Sequence, residues 1–458
     1  MDYLQSRRVY AAPEGPFTVL VDAFRDNGAF LQGQLASFFL SHFHSDHYGG
    51  ITREFDAGPV LCSPITRRLL CGSIGVSQDL VHEIRPNERY RLDMVKRVLV
   101  DWRRGDRLPH EVDVEAFDAN HCPGALVFVF SGAAGNVVHT GDFRYCRAID
   151  PVRANLPASS RIGSALGRKA ARQRNVELGG AGDLTDLVFK WRGRIDRLFL
   201  DNTFCNDKYE FPSQSDSAVL AAKHVRATVS GNGRSALLFG AYTIGKEKFA
   251  DRCRRLLSND AKLYVSAEKF QSLSNCELAT RLCATIAASQ NGVVDTSALE
   301  FASLSADGDD TREVVMFMVP MGSLTQEALC KKQIALSPGV SIDLREFASI
   351  VGIRGTGWAM TTKQMSLPAG VHLINIPYSE HCGFTELLTF VQDCEPKAVV
   401  PTVNAKSFKQ FEPRFVEVCP RLLRKGATRP LSSVMRAGTA AIQVSDASES
   451  DDSSVEIL

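Results

Sequence analysis

The sequence predicts an α/β protein of more than one domain, and three observations carry that expectation. At 458 residues the chain exceeds what one hydrophobic core normally serves. Its first part holds short apolar runs bounded by Gly, Pro, Asn and Asp, the pattern of buried strands. From residue 197 onward, strand-like runs alternate with helical stretches, the rhythm of a parallel sheet.

In chain order, strands are expected at 17–21, 35–40, 97–100, 112–117, 125–130 and 136–139. A strand and turn at 58–64 lead into a helix at 65–70. Further on, 197–200, 235–239, 261–266, 313–319, 371–376 and 398–400 read as strands, and 217–229, 245–257 and 276–286 as helices. Phe384, Leu387, Leu388 and Val391 fall at helical spacing and form one buried face. Two stretches break the rhythm. Residues 151–183 are rich in Ala, Gly and Ser and carry six basic residues before the first acid, Glu177. They read as a mobile surface insertion: a basic flap over a polyanion, a weak nuclear import signal at Arg168 to Arg174, or a solvated loop with no role. Residues 289–310 are polar and acidic and read as a disordered loop, as does the tail from 445, which has five acidic residues and no Lys or Arg.

Hydrophobic content of 44%, charged content of 23% and a net charge of +1 describe an ordinary soluble chain that does not announce a nucleic-acid binder. Twelve cysteines without a Cys-x-x-Cys pair indicate neither a zinc ribbon nor a disulfide framework, which suits a reducing compartment. The amino-terminal residues show no apolar signal core, and no stretch is long enough to span a bilayer, so no membrane is expected.

The chemistry concentrates at Ser41-His42-Phe43-His44-Ser45-Asp46-His47. An apolar run precedes it. In extended backbone His42, His44 and Asp46 would point one way, and His47 follows as Tyr48-Gly49-Gly50 turns the chain. Imidazoles and carboxylates at this density suit a divalent, zinc-like ion. His121, in a Pro-Gly turn, and Asp142, after the 136–139 strand, are the further candidates. His42, His44 and His121 with Asp142 would form one site, and Asp46 and His47 with a shared Asp142 a second, poorer one. Each leaves a position open for water and substrate. His139 reads as a packed histidine rather than a ligand. At 242–247 a strand end, Gly245 and a helix start with Lys246 in its first turn read either as a phosphate site with free backbone N–H groups or, on these residues alone, as a solvent-facing lysine.

Ser41-His42-Phe43-His44-Ser45-Asp46-His47-Tyr48 resembles the signature of the metallo-β-lactamase fold. Taken with Asp22, Asn120-His121-Cys122-Pro123-Gly124, His139 to Arg144, Leu200 to Thr203, Tyr242 to Glu247 and Pro377 to His381, the chain is similar to the β-CASP DNA nucleases. More narrowly it resembles the DNA cross-link repair exonucleases, the group of Apollo and Artemis.

The resemblance implies an α/β metallo-β-lactamase αββα sandwich with an inserted β-CASP α/β domain. Its divisions would be 1–212 for the first part of the metallo-β-lactamase domain, 213–365 for the insert, 366–444 for the second part and 445–458 for the tail. It also implies residue roles. Asp22 orients the metal loop. His42, His44, His121 and Asp142 hold the first ion; Asp46 and His47, with Asp142, hold the second. Asp46, His47, Asp201 and His381 are catalytic, with Asp201 and His381 paired near the scissile phosphate. Tyr242, Thr243, Lys246 and Ser379 contact phosphate and DNA. The implied cofactor is one tightly held zinc plus a weaker divalent ion, zinc or magnesium. Val403 stands where RNA-processing relatives place a histidine ligand, which points to a DNA-directed member. The implied activity is 5′-to-3′ hydrolysis of DNA from a 5′-phosphate end in interstrand cross-link repair. Its implied setting is nuclear, with single- or double-stranded DNA and repair-complex proteins as partners. Alternatives within the same resemblance are a structure-selective endonuclease and a non-catalytic repair or telomere scaffold. Arg354 departs from the family, which usually has a proline before the Thr-Gly-Trp motif.

Overall fold

A computed structural model describes residues 8–423, apart from 12–14, 26–34, 104, 147–183, 230–232, 259, 277, 279–282, 287–291, 295, 297–298, 305–311 and 369. The basic insertion, most of the 289–310 stretch and the acidic tail therefore lie outside the described residues.

Two sheets pack face to face. The first has five strands in the order Arg8–Ala11, Phe17–Val21, Leu35–Phe39, Val60–Cys62 and Val81–Glu83. The second has seven, in the order Val399–Pro401, Arg197–Leu200, Gly135–His139, Leu126–Gly132, Glu111–Asp118, Arg89–Asp93 and Val98–Val100. Strand periodicity explains the layering. Phe39, Val19 and Val21 face inward onto Val114, Phe128, Phe130 and Phe199 of the second sheet. Their neighbours Phe38, Leu40 and Leu20 face outward into another core, which also holds Leu69 and Leu70. The outer face of the second sheet is covered by helices Leu184–Trp191, Phe384–Cys394 and Ala405–Val418, through Leu187, Leu387, Val391 and Phe415. This is the αββα sandwich that the resemblance implies.

The inserted domain has a sheet whose main path runs Cys283–Thr285, Leu263–Val265, Glu313–Pro320, Ser235–Ala241, Ser349–Thr356, Val371–Pro377 and Lys363–Leu367. All pairings on this path are parallel except that of Lys363–Leu367 with its neighbour. Apolar side chains fill both faces, as parallel sheets require.

Several expectations need correction. Val371–Pro377 pairs with Ser349–Thr356 and so belongs to the inserted sheet. The chain therefore returns to the first domain after Pro377, later than the expected boundary at 366. Among the described residues of 276–286, where a helix is expected, none is helical. Helix Ala267–Asn275, capped by Ser266, ends before it, and Cys283–Thr285 is a strand. Helix Glu247–Leu257 starts two residues later than expected, because Gly245 and Lys246 adopt left-handed backbone. In the acidic 289–310 stretch, Val293–Val294 and Ala302–Ser303 are short strands.

Candidate metal centre and active site

The site forms where loops leave the strand ends of both domains. Leu35–Phe39 delivers Ser41, His42 and His44 in extended backbone, but Ser45–Tyr48 is a single helical turn. Asp46 and His47 therefore project from a helix, not from a continued strand as the alternation suggested. His121 follows Asn120 in the turn after Glu111–Asp118, and Asp142 follows Gly135–His139. Three non-glycine residues in the left-handed region border this site: Asp22 (φ 51°), Asn120 (φ 52°) and Lys246 (φ 73°). Such conformations cost on the order of 1 kcal/mol or more each and persist where surrounding structure fixes them.

Hydrogen bonds behind the imidazoles decide which nitrogen faces inward. His47 Nδ1 lies 2.7 Å from Asp22 Oδ2. His121 Nδ1 lies 2.9 Å from the Glu380 carbonyl, and His44 Nε2 lies 3.0 Å from the Ile244 carbonyl. These oxygens only accept, so the nitrogens bonded to them carry the protons. Ser41 Oγ donates to Asp22 Oδ2 at 2.7 Å, and so accepts from His42 Nδ1 at 2.9 Å. The lone pairs of His42 Nε2, His44 Nδ1 and His121 Nε2 are left facing one another. His44 Nδ1 sits 2.8 Å from His42 Nε2 and 3.3 Å from His121 Nε2. Tetrahedral zinc with Zn–N of about 2.0–2.1 Å spaces its nitrogens by roughly 3.3 Å. Converging lone pairs repel unless a cation lies between them, so this donor set fits a divalent metal.

Asp142 closes the set. Its Oδ2 is 3.6 Å from His42 Nε2, 3.7 Å from His121 Nε2 and 3.4 Å from His47 Nε2. His42, His47 and Asp142 form a second compact group, and Cys122 joins His42, His44 and His121 within the first. Asp46 stands at the mouth, with its side chain 76% exposed and Oδ2 3.6 Å from His47 Nε2.

Electrostatics divides the histidines. Burial pushes His42 and His44 down, and His121 down to about 3, so all three are neutral and ready to ligate. Burial opposes charge on His47 too, but Asp142 and Asp22 outweigh it and raise the ring well above its ordinary range. At His381, burial is likewise outweighed by Asp201 and Asp142, and the ring rises to about 9. His381 Nδ1 lies 2.9 Å from Asp201 Oδ2, and its Nε2 is 3.9 Å from Asp142. His139 packs on Phe199 and accepts from the Gly141 amide, away from the lone-pair cluster.

The 242–247 loop differs from its sequence reading. The Gly245 amide is taken by the Glu247 carboxylate and the Lys246 amide by Glu380, so neither is free for phosphate. Lys246 is buried, with Nζ 3.6 Å from Glu380 Oε2. Tyr242 and Thr243 are exposed. Ser379 is buried, and its hydroxyl bonds the backbone of His381, which folds the loop rather than presenting a free group to DNA.

Sequence reasoning assigned no role to Ser41, Glu380 or Arg144. Arg144 is fully buried and binds Glu386 and the carbonyls of Ser379 and Pro212. Its only sequence signal was an arginine two residues after Asp142, in a stretch that also carries Arg147.

Fold and site define a metal-binding protein of the metallo-β-lactamase fold with a β-CASP-type insert. Residues 307–407 match the family "DNA repair metallo-beta-lactamase". The chain is 28% identical to the DNA cross-link repair protein SNM1 of Arabidopsis thaliana over 86% of this chain and 65% of that protein. It is 28% identical to the human DNA cross-link repair 1A protein, over 81% and 28% of the two chains. With the 5′ exonuclease Apollo of Gallus gallus it shares 27% identity, over 80% and 58%. The chain thus spans less than two thirds of the length of these relatives. Its similarity is to DNA cross-link repair proteins and, at residues 307–407, to the DNA repair metallo-beta-lactamase family.

Proposed function

We propose that this protein is a metal-dependent nuclease that hydrolyses DNA phosphodiester bonds in the 5′-to-3′ direction from a 5′-phosphate end, in cross-link repair within the nucleus. The observation that carries this reading is the convergence of three neutral imidazoles and Asp142 beside the Asp201–His381 pair. Bound divalent ions would supply Lewis acidity to the phosphate and lower the pKa of water to about 7. His42, His44, His121 and Asp142 would hold one zinc ion tightly. Asp46 and His47, with Asp142 shared, would hold a second ion, zinc or magnesium, less well, because His47 must first give up a proton. His381, kept cationic by Asp201, would give a proton to the departing oxygen. Tyr242 and Thr243 at the open edge, with Lys246 behind them, would contact the terminal phosphate.

The test uses end-labelled oligonucleotides with and without a 5′-phosphate, with and without chelator. Mononucleotides released from the phosphorylated 5′ end only when metal is present support the reading. Asp46→Ala or His47→Ala should abolish that release while the circular dichroism spectrum is kept. Persistent activity in either variant would refute the site. Lys246→Ala should hurt 5′-phosphorylated substrates more than 5′-hydroxyl ones, and equal losses would count against the pocket.

A further inference from the structure

We infer that Trp358 is a nucleobase platform that positions an unpaired nucleotide of the substrate strand beside the metal centre. The inference rests on the nuclease reading above and deepens it, because it sets single-stranded or frayed DNA as the preferred substrate.

Topology supplies the first argument. Ser235–Ala241, Ser349–Thr356 and Val371–Pro377 are adjacent parallel strands of the inserted sheet. Their carboxyl ends open into Tyr242, Gly357-Trp358 and the loop that carries His381. Ligands of open parallel sheets lie at this edge. Trp358 leaves the middle strand, between the expected phosphate contacts and the catalytic pair.

Exposure supplies the second. Trp358 is 70% exposed, an unusual position for a large ring. Beneath it, Phe204 is buried, with its ring 5.3 Å from Trp358 and 5.8 Å from His381. Tyr209 and Phe211 complete the underlay, each within 5.0 Å of Phe204. The mounting is tight, since a Cβ at Gly357 would meet Phe204 Cζ at 2.5 Å. The underlay thus fixes the indole at the rim while leaving most of its surface to solvent.

Charge supplies the third. Lys208 Nζ lies 4.8 Å over the Tyr209 ring, a cation set beside an aromatic surface. Successive rings with a neighbouring cation are the elements that hold single-stranded nucleic acid, the rings stacking on bases and the cation meeting the backbone. A paired base keeps its faces covered by its neighbours and would have to leave the stack to reach Trp358.

The experiment has two independent arms. In the first, intrinsic fluorescence is titrated with single-stranded oligothymidylate in chelator, where no hydrolysis occurs. Quenching in the wild type that is lost in Trp358→Phe supports stacking, and identical quenching in the two overturns it. In the second, Trp358→Ala should raise KM for single-stranded DNA about tenfold, with a much smaller change in kcat, and Trp358→Phe should recover most of the loss. The penalty should vanish when the terminal nucleotides are abasic. An equal penalty on abasic and normal strands would overturn the platform. A wild-type protein that binds and quenches but cleaves no DNA would refute the nuclease reading while leaving the platform standing.

Discussion

At the scale of single residues, the proposed chemistry rests on groups that stand behind the candidate ligands. Asp22 accepts from the Ser41 amide and hydroxyl and from His47 Nδ1. Asparagine there would keep one accepting oxygen but turn an amide N–H₂ toward one of those donors. Asp22→Asn should cost about 10- to 100-fold in metal retention and activity with the fold intact. Bound metal per chain after chelator competition reads this out, and wild-type retention would show that Asp22 does not orient His47. His381 gives a pH prediction for the metal-free protein. Its pKa is about 9 when folded, against about 6.5 unfolded. A raised folded value stabilises fully below pH 6.5, and that contribution is lost as pH rises through 9. In chelator the His381 contribution should therefore be roughly 3 kcal/mol smaller at pH 10 than at pH 6, and Asp201→Asn should shrink the pH dependence of denaturation. An Asp201→Asn protein with the same pH dependence would mean that Asp201 does not set the charge of His381.

At the scale of elements, what could be read in the sequence was governed by periodicity. Strands such as Leu126–Gly132 and Glu313–Pro320 are apolar runs between turn residues, and helix Phe384–Cys394 shows its buried face at helical spacing. Short elements carry a weaker signal. Arg8–Ala11, Arg89–Asp93 and Gln333–Ser337 are only four or five residues long, too short for a clear alternation, and are fixed by pairing with Phe17–Val21, with Val98–Val100 and Glu111–Asp118, and with Val340–Asp343. The helix expected at 276–286 gives way at Cys283–Thr285, which adds to the inserted sheet beside Leu263–Val265, so tertiary pairing won there. Arg144 shows the same blindness with a larger energetic consequence. A guanidinium reads as a surface group, yet this one joins Glu386 to the 379 and 212 loops. Arg144→Ala should cost about 3 kcal/mol or more, because it leaves Glu386 and two carbonyls without their donor. Urea unfolding measures it, and a change under about 1 kcal/mol would reduce Arg144 to a solvated charge.

At the scale of the whole molecule, the centre is a seam between two domains. Four candidate ligands of the first domain, His42, His44, Asp46 and His47, were legible because they cluster in six residues. What holds His44 and His121 was not, because their backbone partners come from 200 or more residues away. His44 is tied to the Ile244 carbonyl of the insert, and His121 to the Glu380 carbonyl after the chain has crossed back. Glu380 in turn holds the Lys246 amide, and the Cys382 amide bonds the Phe143 carbonyl next to Asp142. Gly245, with φ 105°, allows this approach, and a Cβ there would lie 3.4 Å from both His44 Nε2 and Glu380 Oε2. An ion bound by His44 and His121 therefore fixes nitrogens whose opposite edges hold the insert. Ligand binding to the folded state stabilises whatever must be ordered to bind it. Adding zinc to chelator-treated protein should slow amide exchange at Gly245, Lys246 and Cys382 as well as in the 41–48 loop, and His44→Ala should remove the effect at 245 and 246. Protection confined to 41–48 and 121 would mean that the two domains close over the site without help from the metal.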